Sequence, residues 1–219
     1  MSADAPARRA PTRTRERILD TSLAMFNALG EPNVTTNHIA DETGISPGNL
    51  YYHFRSKADI VERLFDAYEA RIDEALLLPT SRRPNLEDVW LQLHLLFEAI
   101  GHYRFLHRDL VDILSRNRRI RTHFARLLDR ASASTTALLR ALAEDGVLRA
   151  SEEELRLLVE NAIALTMFWI GYDSVRHHRA DGAAGDPRLG MQRVIALLGP
   201  HLEEGGRRHL ATLAASYAD

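Results

Sequence analysis

Residues Val34 to Lys57 read VTTNHIADETGISPGNLYYHFRSK, and their punctuation describes two short helices joined by a tight turn. The first starts at the Thr35-Thr36 pair, whose hydroxyls can accept from the unpaired amides of a first helical turn, and it sends Ile39 and Ala40 towards a core. It stops at Gly44, where the left-handed conformation that ends a helix costs a glycine little, and Ile45 then plugs the turn inward. Ser46-Pro47 opens the second helix, with Ser as N-cap and Pro at the first helical position, where a missing amide is harmless.

On the second helix Leu50 and Phe54 are four residues apart and share the inward side with Ile39 and Ile45. The outward side is therefore Pro47, Gly48, Asn49, Tyr51, Tyr52 and His53. A merely solvated face carries Glu, Lys and Gln. This one offers an amide, two phenols and an imidazole, groups that hydrogen-bond phosphates and base edges, and the alternative is a surface helix with a small aromatic cluster. Helix-turn-helix proteins set the N-terminal residues of their second helix against bases in the major groove.

The run GISPGNLYYHFRSKADIVERLF, preceded by TTNHIA, resembles the DNA-binding domain of the TetR family of transcriptional regulators from about Arg13 to Phe65. Ile18, Ser22 and Phe26 on a preceding helix, Gly30 at its end, the Thr pair, Gly44, Leu-Tyr-Tyr-His-Phe and Lys57 fall at the family's spacing. Ser22 stands where the family usually has Ala. The resemblance implies that Pro47, Gly48, Asn49 and Tyr51 face bases, that Thr36, Tyr52, His53 and Lys57 hold phosphates, and that Thr35 and Ser46 lie with them at the interface. It also implies a homodimer on a double-stranded DNA operator, and a small-molecule inducer that enters a helical domain and moves the fourth helix.

Composition adds bounds. The 219 residues are 45% apolar and 26% charged, the balance of a globular protein, and the reading finds neither a signal peptide nor a membrane-spanning run, so a cytoplasmic location is expected. Cysteine is absent, which removes disulfides and thiolate metal sites. A net charge of −2 does not announce a nucleic-acid binder, so the electrostatic argument is local. Arg8, Arg9, Arg13, Arg15 and Arg17 outweigh Asp4 and Glu16, and residues 1–12 read as a mobile basic arm, either lying on DNA or a solubilising tail. Lys57 is the chain's one lysine.

An all-α fold is expected, with a helix-turn-helix domain over 13–57 and a helical ligand-binding and dimerisation domain over 58–219, joined by a helix 56–78. The first helix is read over Thr14 to Leu29. Pro79 to Pro84 is the best linker. Asn85 caps a fifth helix ending at Gly101, and a sixth is read from Arg104 to Ser115. A long seventh follows, Arg118 to Glu144. An eighth opens on the capping box Ser151/Glu154, a ninth spans Pro187 to Leu198, and a terminal helix is read over 207–216.

Asn161 to Tyr172 is apolar all round, so that helix must be buried on two sides: its own core and a second subunit, or the core of a monomer. The expected dimer surface is Ile163 and Ile170 with Met191, Val194, Ile195 and Leu198, matching the four-helix bundle that the resemblance implies. Trp90, His94, Phe97, Phe105, Phe124, Leu128, Asn161, Leu165, Phe168 and Trp169 form an aromatic and aliphatic set that lines an apolar ligand pocket, with a polar or anionic head near His94 or Asn161, or else is simply core. No phosphate loop, nucleophile elbow or paired metal-ligand motif occurs, so neither catalysis nor a metal or cofactor is expected. A helical adaptor and a helical enzyme remain the rival classes.

Overall fold

The computed structural model describes residues 9–177 and 186–215. The elements run α1 Arg9–Leu29, a 3₁₀ turn Glu31–Asn33, α2 Thr36–Thr43, α3 Pro47–His53, α4 Lys57–Ala75, α5 Leu86–His102, α6 Arg104–Arg108, α7 Leu110–Arg116, α8 Arg118–Glu144, α9 Glu152–Arg176, α10 Pro187–Leu198, a second 3₁₀ turn Gly199–His201 and α11 Glu204–Ala215. Among the described residues, β pairing is confined to one antiparallel bridge between Leu148 and Leu202.

The local signals act where the sequence puts them. Thr35 caps α2 reciprocally with His38, Ser46 caps α3 by accepting from the Asn49 amide, and Gly44 closes α2 at φ 70°. Asn85 and Ser151 form full capping boxes with Asp88 and Glu154. Each such cap contributes about 1 kcal/mol. Ser56 accepts from the Asp59 amide, but Asp59 reaches back to the amide of Arg55, so that box is offset by a residue.

Several boundaries differ from expectation. α1 starts at Arg9, so residues 9–12 of the expected arm are helical, Pro11 falling within a first turn that lacks amide partners anyway. The rest of the arm, including Arg8, lies outside the described residues, as does His178. α4 ends at Ala75 rather than Leu78. Gly101 sits inside α5, and α11 begins before residue 207. The expected sixth helix is two, broken at Asp109, whose carboxylate turns away to accept from the backbone amide of Glu31 at 2.9 Å.

Two apolar cores stack along the chain's long helices. The first joins α1–α4 to α6, α7 and the start of α8 through Ile18, Phe26, Ile39, Leu50, Phe54, Phe65, Phe105 and Phe124, so it crosses the boundary expected at residue 57. Ser22 is buried in it because its hydroxyl donates to the Ile18 carbonyl at 2.7 Å. The second packs α5, the end of α8, α9 and α10. There Gly190 is obligatory: a Cβ would stand 2.4 Å from Phe97 and 2.6 Å from Trp169. α10 lies that close to its neighbours only with a glycine at the crossing.

Candidate nucleic-acid interface and ligand cavity

α3 is held from below by Leu50 and Phe54, both fully buried, which fixes its outer face. Pro47, Gly48, Asn49, Tyr51 and Tyr52 are exposed, Tyr52 at 80%, and His53 is half-buried with its ring edge-on to Tyr52. Thr36 and Tyr51 join hydroxyl to hydroxyl at 2.9 Å, tying the start of α2 to the outer face of α3. Ser46 and Thr35 are exposed but their side-chain oxygens serve the helix caps. Arg15 covers the ring of Phe54 at 4.8 Å, which takes it out of the basic arm.

Lys57, expected at a phosphate, is engaged within the chain. Its ammonium donates to the Glu31 carbonyl at 2.9 Å and pairs with the Glu31 carboxylate at 3.1 Å. Arg116 of α7 reaches the other oxygen of the same buried carboxylate at 2.6 Å and also pairs with Asp112. The two carboxylates push the Arg116 guanidinium above its ordinary range. Beside this cluster Arg108 donates to the carbonyls of Phe26 and Asn27 at the end of α1, and Asn27 binds the Phe105 amide and the His102 carbonyl. The helix-turn-helix is thus fastened to α6 and α7 as well as to α4. Nothing in the sequence spacing of Glu31 and Arg116 announced this, since the partners lie 85 residues apart.

Between α4, α5, α8 and α9 lies a mainly apolar cavity of about 80 Å³. Of the ten residues expected to line a pocket, Phe124 and Leu128 do so. The others are elsewhere. Phe105 packs on Phe26 at 5.2 Å in the first core, and Trp169 is buried against α10 with its indole N–H on the Asp186 carbonyl and Arg193 over its ring. His94 and Phe97 border a separate shallow groove with Met191, and Trp90 stacks on His94. Leu165 packs half-buried on the second core, while Asn161 and Phe168 point outward. The expected polar head position near His94 or Asn161 therefore has no place in this cavity.

Its polar groups are instead Tyr68, Gln92, His107, Thr135 and Thr166. The Tyr68 hydroxyl meets His107 Nε2 at 2.9 Å, and His107 Nδ1 meets the Met167 carbonyl at 3.0 Å. A carbonyl only accepts, so Nδ1 carries the proton and Nε2 accepts from the phenol. Burial pushes the His107 pKa down to about 4 and the Tyr68 pKa up, leaving both neutral near pH 7. Tyr68 and His107 read as ordinary helix residues in the sequence, and only the packing of α4 against α6 brings them together.

The residues expected at the dimer surface are largely covered within one chain. Ile170, Met191, Val194 and Leu198 are each at most 3% exposed within one chain, Ile163 borders the cavity, and Ile195 is half-buried on the second core. The phase of α9 explains this: its inner stripe is Leu155, Leu158, Val159, Ala162, Trp169 and Ile170, which leaves Leu157, Ala164, Phe168, Tyr172 and Val175 outside. Contrary to the expectation of no spanning run, α9 is long and apolar enough to cross a membrane, and only 33% of its apolar window is buried inside the chain. Among the described residues, no three His, Cys, Asp or Glu side chains converge as a metal site would require.

Comparison with known proteins gives two matches along the chain. Residues 18–64 match the family described as "Bacterial regulatory proteins, tetR family", and residues 67–210 match the family described as "Bacterial transcriptional repressor". A solved TetR-family transcriptional regulator from Marinobacter aquaeolei VT8 superposes with a TM-score of 0.81 at 34% identity, covering 93% of this chain and 98% of that one. The HTH-type transcriptional repressor KstR2 of Mycolicibacterium smegmatis is 34% identical over 110 residues, 47% of this chain and about half (49%) of that relative. KstR2 of Mycobacterium tuberculosis is 26% identical over 200 residues, 87% of this chain and 94% of the relative. Two family patterns that together run from residue 18 to residue 210, and a solved relative aligned almost end to end, carry one conclusion: the chain belongs to the TetR family of bacterial transcriptional regulators.

Proposed function

We propose that this chain is a one-component repressor acting in the cytoplasm, a homodimer that reads a palindromic operator with α3 and is released when a small, mainly apolar molecule occupies the cavity beside α4. The observation that carries the reading is the outer face of α3, where exposed Asn49, Tyr51 and Tyr52 stand over fully buried Leu50 and Phe54. Pro47, Gly48, Asn49 and Tyr51 are assigned to bases, and Thr36, Tyr52 and His53 to phosphates. Lys57 is assigned to the Glu31 cluster rather than to DNA. The exposed stripe of α9 that includes Phe168 and Tyr172 is assigned to the second copy, since a helix apolar on two sides is stable in water only when both are covered.

The test is to enrich duplexes from a random library and footprint the winners. Paired half-sites about one helical turn apart are expected, because a two-fold dimer presents two recognition helices. A single unpaired half-site would overturn the dimeric reading, and failure to enrich any sequence would favour an adaptor instead.

A further inference from the structure

The cavity is bounded by two polar poles with a wall between them that is apolar apart from Thr166. At one, Tyr68 of α4 and His107 of α6 are hydrogen-bonded, and the single phenolic proton is committed to His107 Nε2. The lone pairs of the phenol oxygen remain as acceptors. At the other, Gln92 of α5 donates one amide N–H to Thr135 at 3.2 Å, and its carboxamide oxygen shares the single Ser134 hydroxyl proton, at 3.2 Å, with the Leu76 carbonyl at the end of α4, at 2.8 Å. A carboxamide has two N–H donors, so one is left over. Along α4 Tyr68 and Leu76, whose carbonyl shares Ser134 with Gln92, are eight residues apart, about 12 Å at the helical rise, which sets the scale of the separation. The wall between them is Ile72, Phe124, Leu127, Leu128 and their neighbours.

Charge is missing from this lining. Among the described residues, no Asp, Glu, Lys or Arg borders the cavity, and His107 is held neutral by burial. An ionised ligand would lose its hydration there with no opposite charge in reach, a cost that buried polar groups alone do not offset. A hydroxyl, ether or ketone oxygen meets no such barrier.

We propose that the cavity selects an uncharged, elongated molecule, apolar along its middle, with one oxygen at each end: a hydroxyl donating to Tyr68 and a hydroxyl or carbonyl accepting from Gln92. This rests on the reading of the cavity as the effector site and narrows it, excluding the anionic head that the sequence left open. Tyr68 and Gln92 are the specificity-determining residues. Tyr68 also stands on the helix that leads from the helix-turn-helix, so the polar contact is made on an element that ligand occupancy can move.

The probes are 1,10-decanediol, whose oxygens span such a distance when extended, 1-decanol and decanedioate, titrated calorimetrically into the full-length protein without DNA at pH 7. The diol is expected to bind roughly tenfold more tightly than decanol, as one further satisfied hydrogen bond warrants, and decanedioate is expected not to bind. Tyr68→Phe and Gln92→Met each remove the diol's advantage while leaving decanol affinity within about twofold. Because the two variants act at opposite poles, either one that folds, checked by its circular-dichroism melt, suffices. The proposal is overturned if decanedioate binds as well as the diol, if the folded variants keep the diol's advantage, or if none of the three probes binds. Operator release is read separately: a diol that binds with the expected pattern yet leaves DNA bound would overturn the effector reading and not the ligand class.

Discussion

The Lys57 ammonium lies 3.1 Å from a carboxylate oxygen of Glu31 and 2.9 Å from its carbonyl, and Glu31 is only 2% exposed. Arg116 closes the other carboxylate oxygen from a different helix, α7. A carboxylate in that position is tolerable because two cations compensate it, and one of those cations begins α4 while the other belongs to the helical domain beyond. The turn before the helix-turn-helix is therefore gripped from both sides.

Lys57→Ala should leave Glu31 with Arg116 alone and lower the unfolding free energy by about 2 kcal/mol, less than the loss for a wholly unpaired buried charge. Urea unfolding measures it. The slope of log affinity against log salt should stay the same, because the ammonium is engaged within the protein; a slope shallower by about one would return Lys57 to the phosphate backbone.

Asn49→Ala removes the one carboxamide on the exposed start of α3. If it reads a base, discrimination at one position per half-site should fall by about 1–3 kcal/mol while affinity for random duplex is kept. Competition binding against single-base operator variants decides the matter, and an unaltered preference at every position would remove Asn49 from the base-reading set.

How far the sequence carried can be seen residue by residue. Gly44, Ser46-Pro47 and the Leu50/Phe54 pair are local signals, set by backbone conformation and helical period, and the structure places each where its neighbours alone required. The cavity was not local. Tyr68 and His107 meet across 39 residues of sequence, and α6 ends at Asp109, whose carboxylate binds an amide 78 residues away. Trp90, Phe105 and Trp169 were named for their size, yet large side chains fill cores first, and the cavity falls between medium ones. α9 was rightly read as apolar on two sides, but a helix apolar all round carries no phase, so which stripe turns inward was set by α10 crossing at Gly190.

His107 also predicts a pH dependence. Its pKa is near 6.5 when unfolded and about 4 when folded, so the unfolded chain binds the extra proton between those values. The stability it confers is complete above pH 6.5 and is lost as the pH falls through about 4. By pH 5 the loss should be about 2 kcal/mol. His107→Gln abolishes this titration, so the stability gap between wild type and variant should narrow by that amount between pH 7 and pH 5; parallel urea curves at the two values would show that His107 is not the group responsible.

Phe168 and Tyr172 stand 52% and 57% exposed on one face of α9, and Leu157, Asn161, Ala164 and Val175 continue that face at helical spacing. One isolated exposed aromatic means little, but a stripe five turns long, about 27 Å, is the size of surface that a second copy covers. Substituting Phe168→Glu and Tyr172→Glu together should give a folded monomer, since both side chains are more than half exposed and Tyr172 meets the core only where its ring packs on Trp169 at 5.8 Å. Its operator affinity should fall at least a hundredfold, because two half-sites no longer share one binding event. Ile170→Glu makes the contrast. That residue is 1% exposed and faces inward, so the charge should cost more than 3 kcal/mol of fold stability rather than yield a folded monomer. Sedimentation velocity beside a thermal melt separates the two, and a Phe168→Glu/Tyr172→Glu protein that still sediments as a dimer would move the interface off this stripe.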